Sequence, residues 1–206
     1  MSDVAASLRS APTPRIEYRR FDARVPLPKD VLAAVVFGDA PPQHDPRCVR
    51  VGLTPLRGAG LIAHALEHAV GRERAQGLAL GSLLCAYAVD SALFGLHHVV
   101  CQSLVRIMGL PHAETNATML PHTMSAMRSR APEAIEALCE ALGTKPSYLG
   151  RKITKLGGGA RSLGDLGADR ERLDDAVKAI LARPELGMTP DPPDADDVRA
   201  LIDRAW

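Results

Sequence analysis

From about residue 58 to its end the sequence predicts an all-α domain, a bundle of helices joined by short loops, with a short irregular segment ahead of it. Three observations carry this. Apolar residues recur with the 3.6-residue helical period in three separate places, helix start and stop residues flank them, and no alternating strand pattern appears beyond residue 60.

Residues 1–57 are rich in proline and arginine and are left without a fold. Their one apolar run, Val31 to Phe37, suits a strand or a helical turn equally, PPQHDPR reads as a loop, and a boundary is placed near Leu53 to Gly58. In residues 58–206, Ile135, Leu138, Cys139 and Leu142 mark an amphipathic helix that opens near Pro132 and closes at Gly143. The same spacing recurs at Leu173, Val177, Ile180 and Leu181 after a cap at Asp169, and at Val198, Leu201, Ile202 and Ala205 after Asp194. Gly157, Gly158 and Gly159 read as a connector. No strand precedes them and no Lys-Ser/Thr pair follows, so they do not form a phosphate cradle.

Composition excludes several function classes. With 25 basic and 24 acidic residues the net charge is +1, too small a field to gather nucleic acid or an anionic membrane. Between Ala75 and Val105 the only formally charged side chain is Asp90, but Gly77, Gly81 and Gly95 interrupt the run, and His97, His98 and Gln102 would sit at hydrocarbon depth. A helix buried in a bundle explains the run better than a membrane span. Cys48, Cys85, Cys101 and Cys139 lack metal-ligand spacing, and the start of the chain lacks the apolar run of a signal peptide; both suit a reducing cytoplasm.

The residues richest in chemistry lie between Gly95 and His122, in GLHHVVCQSLVRIMGLPHAETNATMLPH. His98 is expected on the core side of a helix and His112 after a Gly-Leu-Pro turn, so two imidazoles from adjacent elements can converge on one ion such as iron or zinc. Taken by spacing alone, both are more often core histidines than ligands, because a two-His site needs a further donor. His97 suits packing or a supporting hydrogen bond, and His122 suits either pocket lining or a helix start.

The GLHH, Cys101 and PHAETNA elements resemble the metal-site segment of the iron-type alcohol dehydrogenases, most of all its maleylacetate reductases. The resemblance continues through PHTM, APEAIEAL, SLGDLG and DDVRALIDRAW, about two-thirds of the chain. It implies the helical C-terminal half of an NAD(P)H-dependent oxidoreductase. A divalent metal, Fe or Zn, there polarises a small carbonyl or enone substrate, and hydride comes from a nicotinamide held by a separate N-terminal domain. It implies His98 and His112 as metal ligands and places Gln102 where the family has a proton-relaying histidine; glutamine hydrogen-bonds but exchanges no proton near neutral pH. It further implies a histidine four residues after an Asp or Asn. If His64 is that ligand, Gly60 stands at the acidic position; an alternative register leaves His64 without a counterpart, and is favoured. What precedes Gly58 is too short for a nucleotide domain of roughly 100 to 150 residues, and no glycine-rich turn follows a strand. The expectation is thus an impaired stand-alone chain, needing a nucleotide-binding chain or a homo-oligomeric neighbour.

Two other classes stay open. HALEH has the HxxEH pattern of a zinc peptidase, with His64 and His68 as ligands, Glu67 as base, and a downstream carboxylate from Glu133, Glu136 or Glu140. The plainer reading of these residues is a polar stripe on an amphipathic helix. The chain also reads as a non-catalytic remnant or binding module.

Overall fold

The computed structural model describes the backbone of residues 46–92 and 94–206 and the side chains of 55–89 and 94–206. Val31 to Phe37, and His44, lie outside the described residues. The helices are α1 (Pro46–Glu67), α2 (Gly71–Ala92), α3 (Leu96–Met108), α4 (His112–Arg130), α5 (Pro132–Ala141), α6 (Leu149–Leu156), α7 (Leu173–Leu181) and α8 (Ala195–Asp203). Short 3-10 turns lie at Pro146–Tyr148, Gly164–Leu166, Arg170–Arg172 and Pro184–Met188. There is no strand among the described residues, and none of their helices is long and apolar enough to cross a membrane.

α1 and α2 form a tight hairpin because glycine lets their backbones meet. A Cβ on Gly58 would stand 2.4 Å from Cys85 Sγ, and one on Gly81 would stand 2.6 Å from Ile62 Cγ1 and 2.9 Å from the Gly58 carbonyl oxygen. Burial against this seam pushes the Cys85 thiol up to about 12, so it packs as a small hydrophobe. α1 runs unbroken through residues 53–58, where the sequence suggested a boundary; Pro55 lies inside the helix, and Pro46 and Arg47, read as loop, begin it. On the outer side of α2, Leu80 and Leu83 are 50% and 65% exposed.

α3 is the central helix. Leu96, Val99, Val100, Cys101 and Leu104 are all buried, and the helix packs on α4 and α7. It ends at Gly109, whose φ of +71° favours glycine and whose N–H closes onto the Val105 carbonyl. α4 then packs on α3, α5, α6 and α8.

The periodic segments fold as expected, with two adjustments. Pro132 opens α5, Ile135, Leu138, Cys139 and Leu142 are buried, and Gly143 follows at φ +60°. Asp194 caps α8 by accepting from the Asp197 N–H at 2.9 Å. Asp169, however, caps the Arg170–Arg172 turn that leads into α7, accepting from the Glu171 N–H. On α7 the core face consists of Leu173, Ala176, Val177 and Ile180, whereas Leu181 is exposed, since adjacent helical residues diverge by about 100°. The SLGDLG segment is a reciprocal cap: Ser162 N–H donates to Asp165 Oδ2, and Asp165 N–H donates to Ser162 Oγ. Leu163 N–H donates to the Ala205 carbonyl at 2.8 Å, tying this turn to the residues after α8.

Candidate functional site

α3 and α4 meet as a V at the Gly109 to Pro111 link, which sets His97, His98 and Gln102 on one helix beside His112 at the start of the next. The segment Pro111 to Asn116 is the first turn of α4 rather than a loop, with Pro111 as its N-terminal flank. Two side chains fasten that turn. Thr115 Oγ1 donates to the Pro111 carbonyl at 2.7 Å, and buried Asn116 Nδ2 donates to the His112 carbonyl at 2.8 Å.

His98 is half-buried, its ring stacked on Phe94 with centroids 4.9 Å apart. Burial, helped by the nearby His112, pulls its pKa down to about 4, so it is neutral at physiological pH. Its Nδ1 is buried without a hydrogen-bond partner, a deficit of about 1–3 kcal/mol for a buried polar atom. His112 is exposed. The structure thus brings together one neutral imidazole with an unspent nitrogen and a second that opens to solvent, both suitable donors to a divalent ion.

His97 lies deeper and is fully buried. Its Nδ1 is 3.0 Å from Thr123 Oγ1, which itself lies within 3.2 Å of the Met119 and Leu120 carbonyls. A hydrogen bond thus joins the His97 ring on α3 to Thr123 on α4. Burial first, and then His98, hold His97 well below the usual imidazole range. Cys101 Sγ packs 3.7 Å from the same ring. His97 therefore packs inside α3 and α4 as a support for the site.

Gln102 follows His98 by one turn, and its Oε1 accepts from both Nη1 and Nη2 of Arg183 at 3.3 Å. Arg183 also binds Glu185 through Nε at 3.0 Å and Nη2 at 2.8 Å. Phe94, Thr123 and Arg183 carry no periodic signal and were not singled out in the sequence. Arg183 meets Gln102 across 81 positions, which only the packing of α3 on α7 reveals.

His64 is not gathered into this site. It is exposed on α1, its ring 5.4 Å from that of His68, and α1 packs on α2, α5 and α6. A Cβ at Gly60 would stand 3.1 Å from the Ala141 carbonyl oxygen, so a longer residue there would push α5 away. Among the described residues no group of three His, Cys, Asp or Glu side chains can hold a metal. The HxxEH pattern also lacks a free base, because Glu67 accepts from Lys152 Nζ at 2.6 Å. Glu133, Glu136 and Glu140 lie on the exposed face of α5. His122 lies in the interior of α4, one residue after Pro121, and so is not at a helix start.

Residues 56–206 match the Fe-containing alcohol dehydrogenase family, C-terminal. The chain belongs to this family. A maleylacetate reductase from Burkholderia cepacia is 31% identical over 163 residues, covering 78% of this chain and 43% of that protein. Maleylacetate reductase 1 from Rhodococcus opacus is 30% identical over 163 residues, covering 79% and 39%. Among solved structures, an iron-containing alcohol dehydrogenase from Corynebacterium glutamicum superposes with a TM-score of 0.75 at 26% identity, covering 86% of this chain and 50% of its own. A maleylacetate reductase from Agrobacterium tumefaciens gives 0.72 at 25% identity, covering 86% and 51%. The chain therefore spans well under two thirds of these family members, and what it matches is their helical portion.

Proposed function

We propose that this chain is the helical half of a maleylacetate reductase-type oxidoreductase, the half that holds a divalent metal and faces a small carbonyl or enone substrate. The observation that carries the reading is His98 Nδ1, buried and unpartnered, on a residue whose lowered pKa owes a part to His112. These two imidazoles would hold the ion, water filling the remaining positions, and two such donors bind weakly. When bound, an Fe or Zn ion supplies Lewis-acid polarisation of the substrate oxygen.

The chain's own residues do the positioning. Phe94 and Asn116 orient His98 and the His112 turn, and His97 stiffens α3 against α4. Gln102, with its oxygen engaged by Arg183, retains an amide that can donate a hydrogen bond to substrate but moves no proton. In this reading NAD(P)H is held by a dinucleotide-binding unit outside the described residues, which a nucleotide-binding partner chain or a homo-oligomeric neighbour could supply. Residues 56–206 tested alone should be an impaired catalyst, since positioning the nicotinamide supplies roughly 7 to 11 kcal/mol of barrier reduction.

The test is elemental analysis of wild type and His112→Ala after loading with Fe(II) or Zn(II), alongside NADH absorbance with maleylacetate or simple aldehydes. Metal retained by wild type and lost in His112→Ala, with no saturable turnover, is the expected result. Equal metal in both proteins would make these histidines packing residues. Saturable turnover that disappears in His98→Ala would mean that the chain itself completes the nucleotide site.

A further inference from the structure

A cleft of about 280 Å³ opens between the far end of α4 and the start and end of α8, lined by Leu96, Ser125, Ser129, Arg130, Asp197 and Arg204, among others. Ser125 and Ser129 stand one helical turn apart on the α4 face. Ser125 lies thirteen positions beyond His112, roughly 20 Å along the axis of the same helix, while Leu96 lines the cleft from the start of α3.

The two arginines play different parts. Arg130 is spent: Nε donates to the Asp191 carbonyl at 2.9 Å, Nη1 to the Ala126 carbonyl at 3.1 Å, and Nη2 to Asp197 Oδ2 at 2.6 Å. The bonds to Asp191 and Asp197 clamp the loop before α8 and the first turn of α8 to α4 and fix one wall. They also hold Asp191 at φ +49°, a left-handed conformation that aspartate tolerates. Arg204, by contrast, has no carboxylate partner among the described residues, and the Ser125 and Ser129 hydroxyls make no hydrogen bond with them. Asp197 cancels Arg130, so the lining keeps one uncompensated positive charge beside two unspent hydroxyls.

We infer that this cleft is a binding site for a small oxyanion, a carboxylate or phosphate group held by Arg204 and hydrogen-bonded by Ser125 and Ser129. A guanidinium offers several coplanar N–H donors to two oxygens at once, and hydroxyls complete such a set without adding charge. The cleft is at the small end of ligand pockets, which suits a group of a few heavy atoms. The inference stands apart from the oxidoreductase reading, because Arg204, Ser125 and Ser129 are not among the residues proposed to hold the metal or to meet its substrate.

His122 provides the probe. Burial first, and then the Arg204 charge, hold its imidazole below the usual range. An anion seated on Arg204 offsets the second cause, so its arrival should raise the His122 titration midpoint. NMR of the His122 ring in the full chain is followed while inorganic phosphate, acetate or sodium chloride is added at matched ionic strength. The expected result is a saturable upward shift with phosphate or acetate, half-complete at about a millimolar, and none with chloride. Saturation by phosphate alone identifies a phosphate group as the natural ligand; saturation by both identifies a carboxylate-tolerant site. Arg204→Gln should weaken binding by about tenfold or more, and Ser125→Ala with Ser129→Ala by about threefold. Arg204 is exposed and unpaired, so its variant should fold, and an unchanged melting curve checks this. An equal response to chloride, or binding undiminished in both variants, would overturn the inference.

Discussion

Lys152 on α6 donates to the Glu67 carboxylate on α1 at 2.6 Å, with only 18% and 17% of the two side chains exposed. The bond joins the α1–α2 hairpin to the rest of the bundle and takes the carboxylate that a zinc peptidase would need as its base. The ammonium holds the Glu67 pKa below the usual carboxylate value.

Lys152→Met should therefore cost about 1 kcal/mol at neutral pH, since it removes the short bond to a largely buried carboxylate while leaving Lys155 Nζ 3.9 Å from the other oxygen. The folded state binds the Glu67 proton less readily than the unfolded chain, so the stabilisation is complete above the unfolded pKa of about 4.3 and is lost as pH falls through the folded value. Urea denaturation in acid should show a steeper loss in wild type than in the variant. Identical pH profiles would place the pair's contribution elsewhere.

Gly81→Ala should destabilise although alanine is the better helix former. The new methyl would meet Ile62 Cγ1 at 2.6 Å and the Gly58 carbonyl at 2.9 Å, and backbone cannot swing away. Overpacking of about 1–3 kcal/mol outweighs a propensity gain of about 1 kcal/mol. Gly187→Ala, where a Cβ meets nothing within 4 Å, is the control. Thermal melts that rank Gly81→Ala at or above wild type would mean the hairpin can spread at no cost.

Asp194→Ala removes the side-chain acceptor at the start of α8. We expect a loss of about 1 kcal/mol by denaturant titration, with native circular dichroism retained.

Glu185 should titrate at about 2, because the Arg183 guanidinium beside it stabilises its charged form. In Arg183→Gln the carboxyl should return to the ordinary range, as read by NMR, and the Gln102 side-chain amide resonances should shift in the same variant. A Gln102 amide that does not respond would mean that Arg183 does not position it.

α5, α7 and α8 were legible because each has an apolar period, and α5 and α8 also have marked ends, Pro132 and Gly143 for α5 and Asp194 for α8, whereas α6 was not singled out. Prolines misled elsewhere. Pro55 and Pro121 lie inside helices, where tertiary packing outweighs the missing N–H, and so a boundary and a helix start were expected at places the chain passes through. His98 and His112 were singled out by resemblance, since their spacing alone favours core histidines. Phe94, Arg183 and Thr123 were not, since each matters only through a partner on another stretch of chain or, for Phe94, through ring geometry that spacing does not encode.

The seam between α1 and α2 also bears on how the molecule opens. α2 packs chiefly on α1, whereas α3 and α4 are each enclosed by several neighbours. Local opening is easiest where few buried side chains leave the core. α2 buries only Gly81, Cys85 and Ala88 among its described side chains, whereas α3 buries Leu96, His97, Val99, Val100, Cys101, Ser103 and Leu104. Amide protons of α2 should therefore exchange with solvent deuterium well before those of α3, through a partial unfolding that lifts one helix and leaves the core of α3, α4 and α7 closed.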